Sequence, residues 1–332
     1  MLICTIAAHN YLAKAVFLAE TVRRHHPDAY LVLCQPERHL HQHAASAGFD
    51  LCLLPSDLGY DDLNKFAFRH TVIEFATAIK ARLLRYLFER FPEKDRIVFL
   101  DPDIWVFGPL QEALETLKDH EIVVTPHFLA GEDITDGSVD SVFRVLRCGV
   151  HNLGFLGLRR STAASEFLVW WQSKLETLCY LDFTRGIYLD QRWVDLACGF
   201  FPIWPLGEPG YNVANWNIAK RPIRFDGDVS YAAGRPLRFV HFSGIDAGKD
   251  LRYFKKYAPN GDEPIHTLRR QYKEKVAALR VTWNSAAWEF DRFHSGEPIY
   301  WDSRGACRTH PHILDETADP FAESNEFFLS RV

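Results

Sequence analysis

Ile97-Val98-Phe99-Leu100-Asp101-Pro102-Asp103-Ile104-Trp105-Val106 joins an apolar run to a pair of aspartates. Four apolar residues in a row, rich in β-branched and aromatic side chains, read as a strand buried on both faces. The strand ends where water or ligand begins. Two carboxylates at i and i+2, with a proline fixing φ between them, concentrate negative charge there. Close carboxylates repel, and one of them tends to keep its proton. A divalent cation removes the conflict, and Mn²⁺ or Mg²⁺ prefers such hard oxygen ligands together with substrate phosphates. Asp and Pro also make ordinary turns, so a plain strand-to-turn junction is the competing reading. The apolar run before the triplet and the Ile-Trp-Val-Phe-Gly-Pro-Leu segment after it favour metal.

Working outward, the elements alternate. Residues 2–8 read as a strand, 12–26 as a helix ending at Pro27, and Tyr30–Cys34 as a second strand. A His-rich helix is expected near 37–47, a third strand at Asp50–Leu54, and a helix from about 71 to 91 that stops before Pro92. Strand and helix in alternation imply an α/β fold: a mostly parallel, Rossmann-like sheet with helices on both faces. Ligands of such sheets sit beyond the carboxyl ends of the strands. Asp101 and Asp103 occupy one such end, and Ala7, His9 and Asn10 occupy another. No G-x-G-x-x-G follows the first strand, and the P-loop pattern is absent, so a dinucleotide fold has little support.

The chain has 332 residues, 47% hydrophobic and 24% charged, with a net charge of −5. That is globular composition, and without a basic block nucleic acid is not expected as a partner. Seven scattered cysteines form no C-x-x-C pair, which argues against zinc and for a reducing compartment. The first residues lack the basic start of a signal peptide, and no uncharged apolar run is long enough to span a bilayer. A cytoplasmic protein is expected, one that reaches a membrane, if at all, from its inner face.

Further along, His151-Asn152-Leu153-Gly154-Phe155-Leu156-Gly157-Leu158 reads as another buried strand with Asn152 at its entrance. A buried Asn needs partners, whether backbone at a turn or a ligand. Asp190 and Gln191 open an amphipathic helix, where Asp190 could serve only as an N-cap. Gly210-Tyr211-Asn212-Val213-Ala214-Asn215-Trp216-Asn217 is an aromatic and amide cluster suited to a sugar, though irregular cores also contain such clusters. Leu237-Arg238-Phe239-Val240-His241 delivers a histidine to a strand end, as a structural group or as a third metal ligand. Gly244, Gly248 and Lys249 follow in a loop whose backbone suits close approach to a diphosphate.

In that order, these segments resemble the GT-A glycosyltransferases, most closely the retaining group that includes glycogenin and bacterial lipopolysaccharide galactosyltransferases. The likeness covers about residues 1–255, and it implies a GT-A catalytic domain there with a helical or irregular C-terminal extension at 256–332. It implies a D-x-D metal motif at Asp101 and Asp103, with His241 as third ligand and Mn²⁺ or Mg²⁺ as cofactor. A basic residue directed at the donor would be Lys80 or Arg82, and the sugar-contacting Asn would be Asn152. Asp190 and Gln191 would stand at the reacting carbon. The family spacing His-x-x-Gly-x-x-Lys would put the diphosphate lysine at position 247, whereas here it comes two residues later, at Lys249.

The reaction so implied is sugar transfer, with retention, from a nucleotide diphosphate sugar, a UDP-sugar by resemblance, to a carbohydrate, lipid-linked or protein acceptor. Two other classes are weighed. A sugar nucleotidyltransferase would carry a Gly-rich, Lys/Arg-containing loop after the first strand, and Ala7-Ala8-His9-Asn10-Tyr11 has none. A non-catalytic carbohydrate-binding protein would not need the acidic pair. Beyond residue 255 a basic amphipathic helix is expected at Leu268–Leu279, with an irregular tail at 305–332.

Overall fold

The computed structural model describes residues 1–131, 139–283 and 287–332. Its first half alternates β1 (Leu2–Ile6), α1 (Leu12–His25), β2 (Tyr30–Cys34), β3 (Leu51–Leu53), α2 (Leu63–Phe68), α3 (Val72–Ala78), α4 (Lys80–Arg90), β4 (Arg96–Leu100), β5 (Ile104–Val106), α5 (Gln111–Asp119), β6 (Ile122–Pro126) and α6 (Val139–Cys148). There follow β7 (His151–Arg159), α7 (Thr162–Leu178), the short pair β8 (Leu181–Asp182) and β9 (Ile187–Tyr188), α8 (Gln191–Ala197), β10 (Ile203–Pro205) and β11 (Val213–Ala214). A small antiparallel sheet of β12 (Ile223–Asp226), β13 (Val229–Ala232) and β14 (Arg235–Pro236) leads to β15 (Phe239–His241). Helices α9 (Lys249–Tyr257), α10 (Pro264–Leu279), α11 (Trp301–Thr309), α12 (His312–Asp315) and α13 (Asn325–Leu329) close the chain.

Seven strands make the central sheet, in the order β10-β6-β7-β4-β1-β2-β3. β1 pairs in parallel with β2 and β4, β2 with β3, and β6 with β10. β7 runs antiparallel between β4 and β6. The fold is therefore α/β with a mostly parallel sheet flanked by helices, as the alternation predicts. Ile97, Val98, Phe99 and Leu100 of β4 are all at most 1% exposed, because alternate residues feed two separate cores. Leu2, Cys4 and Phe99 pack toward α3, α4 and α7, whereas Ile3, Val98 and Leu100 pack toward α1 and α5. A strand sandwiched in this way has no face left for a polar residue until its end.

A second sheet of order β11-β15-β5 stands on that end. β5 leaves the Asp-Pro-Asp turn and pairs antiparallel with β15, with His241 opposite Ile104. The Phe242 amide also donates to the Asp103 carbonyl at 2.9 Å. Residues 137 and 139 positions apart in sequence thus meet through a strand pairing.

Three expected elements differ. No α-helix forms at 37–47, where only a 3-10 turn at Ala44–Ser46 appears. Side chains compete for the backbone there: Gln35 Oε1 accepts from the His41 amide, and Glu37 accepts from the amides of His9 and Glu289. The 71–91 helix is divided at Ile79, so that Lys80 becomes the first residue of α4. The tail at 305–332 is largely helical, not irregular. Its Phe321 and Phe328 are 0% exposed and join the core cluster that holds Leu2 and Phe99. Buried Arg304 ties this tail down by donating to the carbonyls of Phe68 and Phe290.

Candidate active site

A cleft of about 560 Å³ opens beyond the carboxyl ends of β1 and β4. At its centre, ligand atoms of Asp101, Asp103 and His241 all lie within 4.8 Å of one another. His241 Nε2 is 3.0 Å from Asp103 Oδ1 and 3.7 Å from Asp101 Oδ2. Burial pushes the Asp101 carboxyl up to about 6, even against the opposing charges of Lys80 and His241. About a third of its side chain faces the cleft, and solvent there moderates the effect. Burial also disfavours charge on Asp103, but His241 outweighs it and holds that carboxyl below its ordinary value. The same two carboxylates raise the His241 imidazole against its own burial.

Backbone groups of fixed polarity determine which nitrogen of His241 faces the acids. The Gly154 amide donates to Asn152 Oδ1, so Asn152 Nδ2 points to Gln191 Oε1, at 3.0 Å. Gln191 Oε1 also accepts from the Leu153 amide, and its Nε2 donates to the Cys148 carbonyl. Asn212 Nδ2 donates to Asn152 Oδ1 and to Thr125 Oγ1, which leaves Asn212 Oδ1 as an acceptor. That oxygen lies 3.1 Å from His241 Nδ1, which must therefore be the donor. A histidine held through Nδ1–H presents Nε2 outward, the arrangement found behind metal-ligating imidazoles. The three side chains fit a divalent cation.

Three backbone features permit this closeness. β7 shifts register between Val124 and Thr125 of its partner β6, which leaves residues 153–155 outside that pairing, and Leu153 lines the cleft. A Cβ on Gly154 would stand 2.6 Å from His241 Cε1, so only glycine fits there. Asn212 adopts φ 53°, a left-handed conformation that Asn tolerates better than most residues.

Beside the triad, buried Lys80 pairs with Asp190 at 2.6 Å, lies 4.0 Å from Asp101, and donates to the Leu153 carbonyl. Burial alone would lower its pKa, but the two carboxylates more than offset this and hold it raised. Asp190 makes no side-chain cap on α8; its carboxylate belongs to Lys80.

Of the residues singled out in the sequence, Ala7, Asn10, Lys80, Asp101, Asp103, Asn152, Asp190, Gln191, His241, Gly244 and Lys249 all line the cleft. His9 and Arg82 do not. His9 packs edge-on against His41, with its amide bound to Glu37. Arg82 faces Glu176 and the carbonyl of Gly59. Lys249 opens α9 and is exposed at the rim, behind Gly244 at φ 74°. The sequence reading missed Tyr11, Arg144 and Tyr188 in the lining. An isolated side chain on a helix or turn carries no signal of the cavity it faces.

No family model matches the chain. YfnF, an uncharacterized protein of Bacillus subtilis (strain 168), is 24% identical over 245 residues, covering 73% of this chain and 80% of that protein. Similar solved structures include the galactosyltransferase LgtC in complex with donor and acceptor sugar analogues. It shows 17% identity over 83% of this chain and 100% of that chain, with a TM-score of 0.45. The glycosyltransferase GlyE of Streptococcus pneumoniae TIGR4 shows 14% identity over 88% and 66%, with a TM-score of 0.47. Mouse xyloside xylosyltransferase 1 shows 14% identity over 73% and 97%, with a TM-score of 0.42. No described helix is long and apolar enough to cross a membrane.

Proposed function

We propose that this chain is a metal-dependent glycosyltransferase that moves a sugar from a nucleotide diphosphate sugar, a UDP-sugar, to an acceptor with retention of configuration. The observation that carries this reading is the convergence of Asp101, Asp103 and His241 at the end of β4, with Nε2 of His241 presented to both acids. Asp101, Asp103 and His241 would hold Mn²⁺ or Mg²⁺, which when bound supplies fixed positive charge for the donor diphosphate. Ala7, Asn10 and Tyr11 at the end of β1 offer a wall for the nucleoside, and Lys249 behind Gly244 offers a second cation to the phosphates.

Four carboxylates line the cleft among the described residues, and each is already engaged. Asp101 and Asp103 face His241, Asp190 is held by Lys80, and Asp246 by Lys14 and Arg280. None is free to serve as the general base that inversion requires. This favours a front-face path in which the departing phosphate itself takes the acceptor proton. Gln191 and Asn152, bonded to each other and to backbone, act as a rigid floor that positions the sugar.

Calorimetric titration of UDP with Mn²⁺ tests the donor and the metal together: binding should weaken sharply in His241→Ala. Binding of GDP or a CMP-sugar in place of UDP refutes the donor, and full turnover in excess chelator refutes the metal. Proton NMR of the new linkage reads its configuration, and a β-product from an α-donor would refute retention.

A further inference from the structure

Arg144 on α6 lines the cleft. Its guanidinium sits over the rings of Trp216 and Tyr253, 5.3 and 5.1 Å from their centroids. One nitrogen, Nη1, donates to Asn215 Oδ1 at 3.1 Å. Among the described residues, Asp140 pairs with Arg252 and Lys256, and Asp195 with Arg192 and His151. A guanidinium offers five N–H donors in a flat fork that matches a carboxylate or phosphate. Here the fork is oriented by two aromatic rings, an amide and the Cys148 thiol, and among the described residues no carboxylate pairs with it.

A second observation lies beside it. Among the described residues, the buried Trp216 Nε1 donor and His127 Nδ1 atom meet no hydrogen-bond partner, and both residues line the cleft. Buried polar atoms left in this state cost stability unless something meets them. An oxygen-rich ligand on this wall would do so.

The position separates this wall from the nucleoside. In the sheet β1 is followed by β4, β7 and β6, and the chain reaches α6 from the end of β6. Three strand spacings, about 14 Å in all, therefore lie between the β1 end and the β6 end. A donor whose nucleoside lies at β1 and whose diphosphate lies at Asp101 and Asp103 directs its sugar toward Asn152 and leaves the Arg144 wall to the acceptor.

Resting on the glycosyltransferase reading above, we propose that Arg144 is a specificity residue for the acceptor, recognising an acidic group, carboxylate or phosphate monoester, on the acceptor sugar. Trp216 and Asn215 hold the guanidinium in place, and the Trp216 indole N–H supplies a further donor.

The test measures binding of three probes to protein saturated with UDP and Mg²⁺: methyl β-D-glucuronide, glucose 6-phosphate and neutral methyl β-D-glucoside. At least one acidic probe should bind roughly tenfold tighter than the neutral one, as expected for a charge-assisted fork. Which acidic probe wins distinguishes carboxylate from phosphate. Arg144→Gln should erase the preference and leave UDP affinity unchanged, while Arg144→Lys should retain part of it. Should Arg144→Gln fail to fold, the wild-type preference must still narrow as NaCl rises. Equal binding of all three probes, no binding of either acidic one, a preference that survives Arg144→Gln or resists salt, or a loss of UDP affinity in that variant would each overturn the proposal. Failure of UDP to bind the wild-type protein defeats the parent reading instead.

Discussion

Nδ1 of His241 donates to Oδ1 of Asn212 across 3.1 Å, and this bond fixes the side of the imidazole that meets the two aspartates. Asn212→Gly keeps the left-handed backbone and removes the carboxamide, freeing the ring to rotate. Mn²⁺ affinity should fall about 10–100-fold, the usual effect of losing a ligand's outer partner. Unchanged affinity in a titration of the folded variant would show that the ring needs no such support.

Gly154 predicts a steric effect on the same histidine. In Gly154→Ala the new Cβ would stand 2.6 Å from His241 Cε1 and 2.8 Å from Asn152 Oδ1. Overpacking of this kind costs about 1–3 kcal/mol, and here it should also displace the His241 ring from the two aspartates. Gly157→Ala on the same strand is the control, because its Cβ meets the Leu117 side chain, Cδ1 nearest at 3.1 Å, and touches no site residue. Metal titration should separate the two variants even where their denaturation midpoints are similar.

Lys80 and Asp190 are each 5% exposed in their side chains, so removing one strands the other. Lys80→Met should destabilise the fold by about 3–5 kcal/mol. Lys80→Met with Asp190→Asn should recover much of that loss, since no buried charge is left unpaired. Urea denaturation of both single variants and the double variant gives the coupling energy; simple additivity would mean that the pair is not coupled in solution.

His151 predicts a pH dependence of stability. Burial alone would lower its pKa, but Asp195 at 3.4 Å and then Cys198 raise it from 6.5 to about 9. A pKa raised by folding contributes stability fully below the unfolded value and loses it as pH climbs through the folded one. The contribution, on the order of 2–3 kcal/mol, should be present below pH 6.5 and gone above about 9. Asp195→Asn should flatten the urea-midpoint profile across that window, and an unaltered slope would assign the pH dependence to other groups.

Sequence alone determined those features whose cause is local. The apolar run at 97–100 reads as a buried strand, and the turn chemistry of Asp101-Pro102-Asp103 ends it. Alternating strand and helix periods then make a mostly parallel sheet, and a parallel sheet brings its carboxyl ends together. Asn152 at a strand entrance and His241 at a strand end were visible as polar groups in apolar surroundings, but their partners were not. Tertiary packing, not local pattern, pairs β15 with β5 and so brings His241 to Asp103. It likewise decided that Asn212 turns the imidazole and that Lys80 takes Asp190 away from its helix cap. At 37–47 the helical pattern lost to side chains bonding the backbone, with Glu37 reaching His9 and Glu289. Arg144 went unseen for the same physical reason: periodicity reports which face of an element is apolar, whereas the residue a side chain meets is set by contacts between segments far apart in the chain.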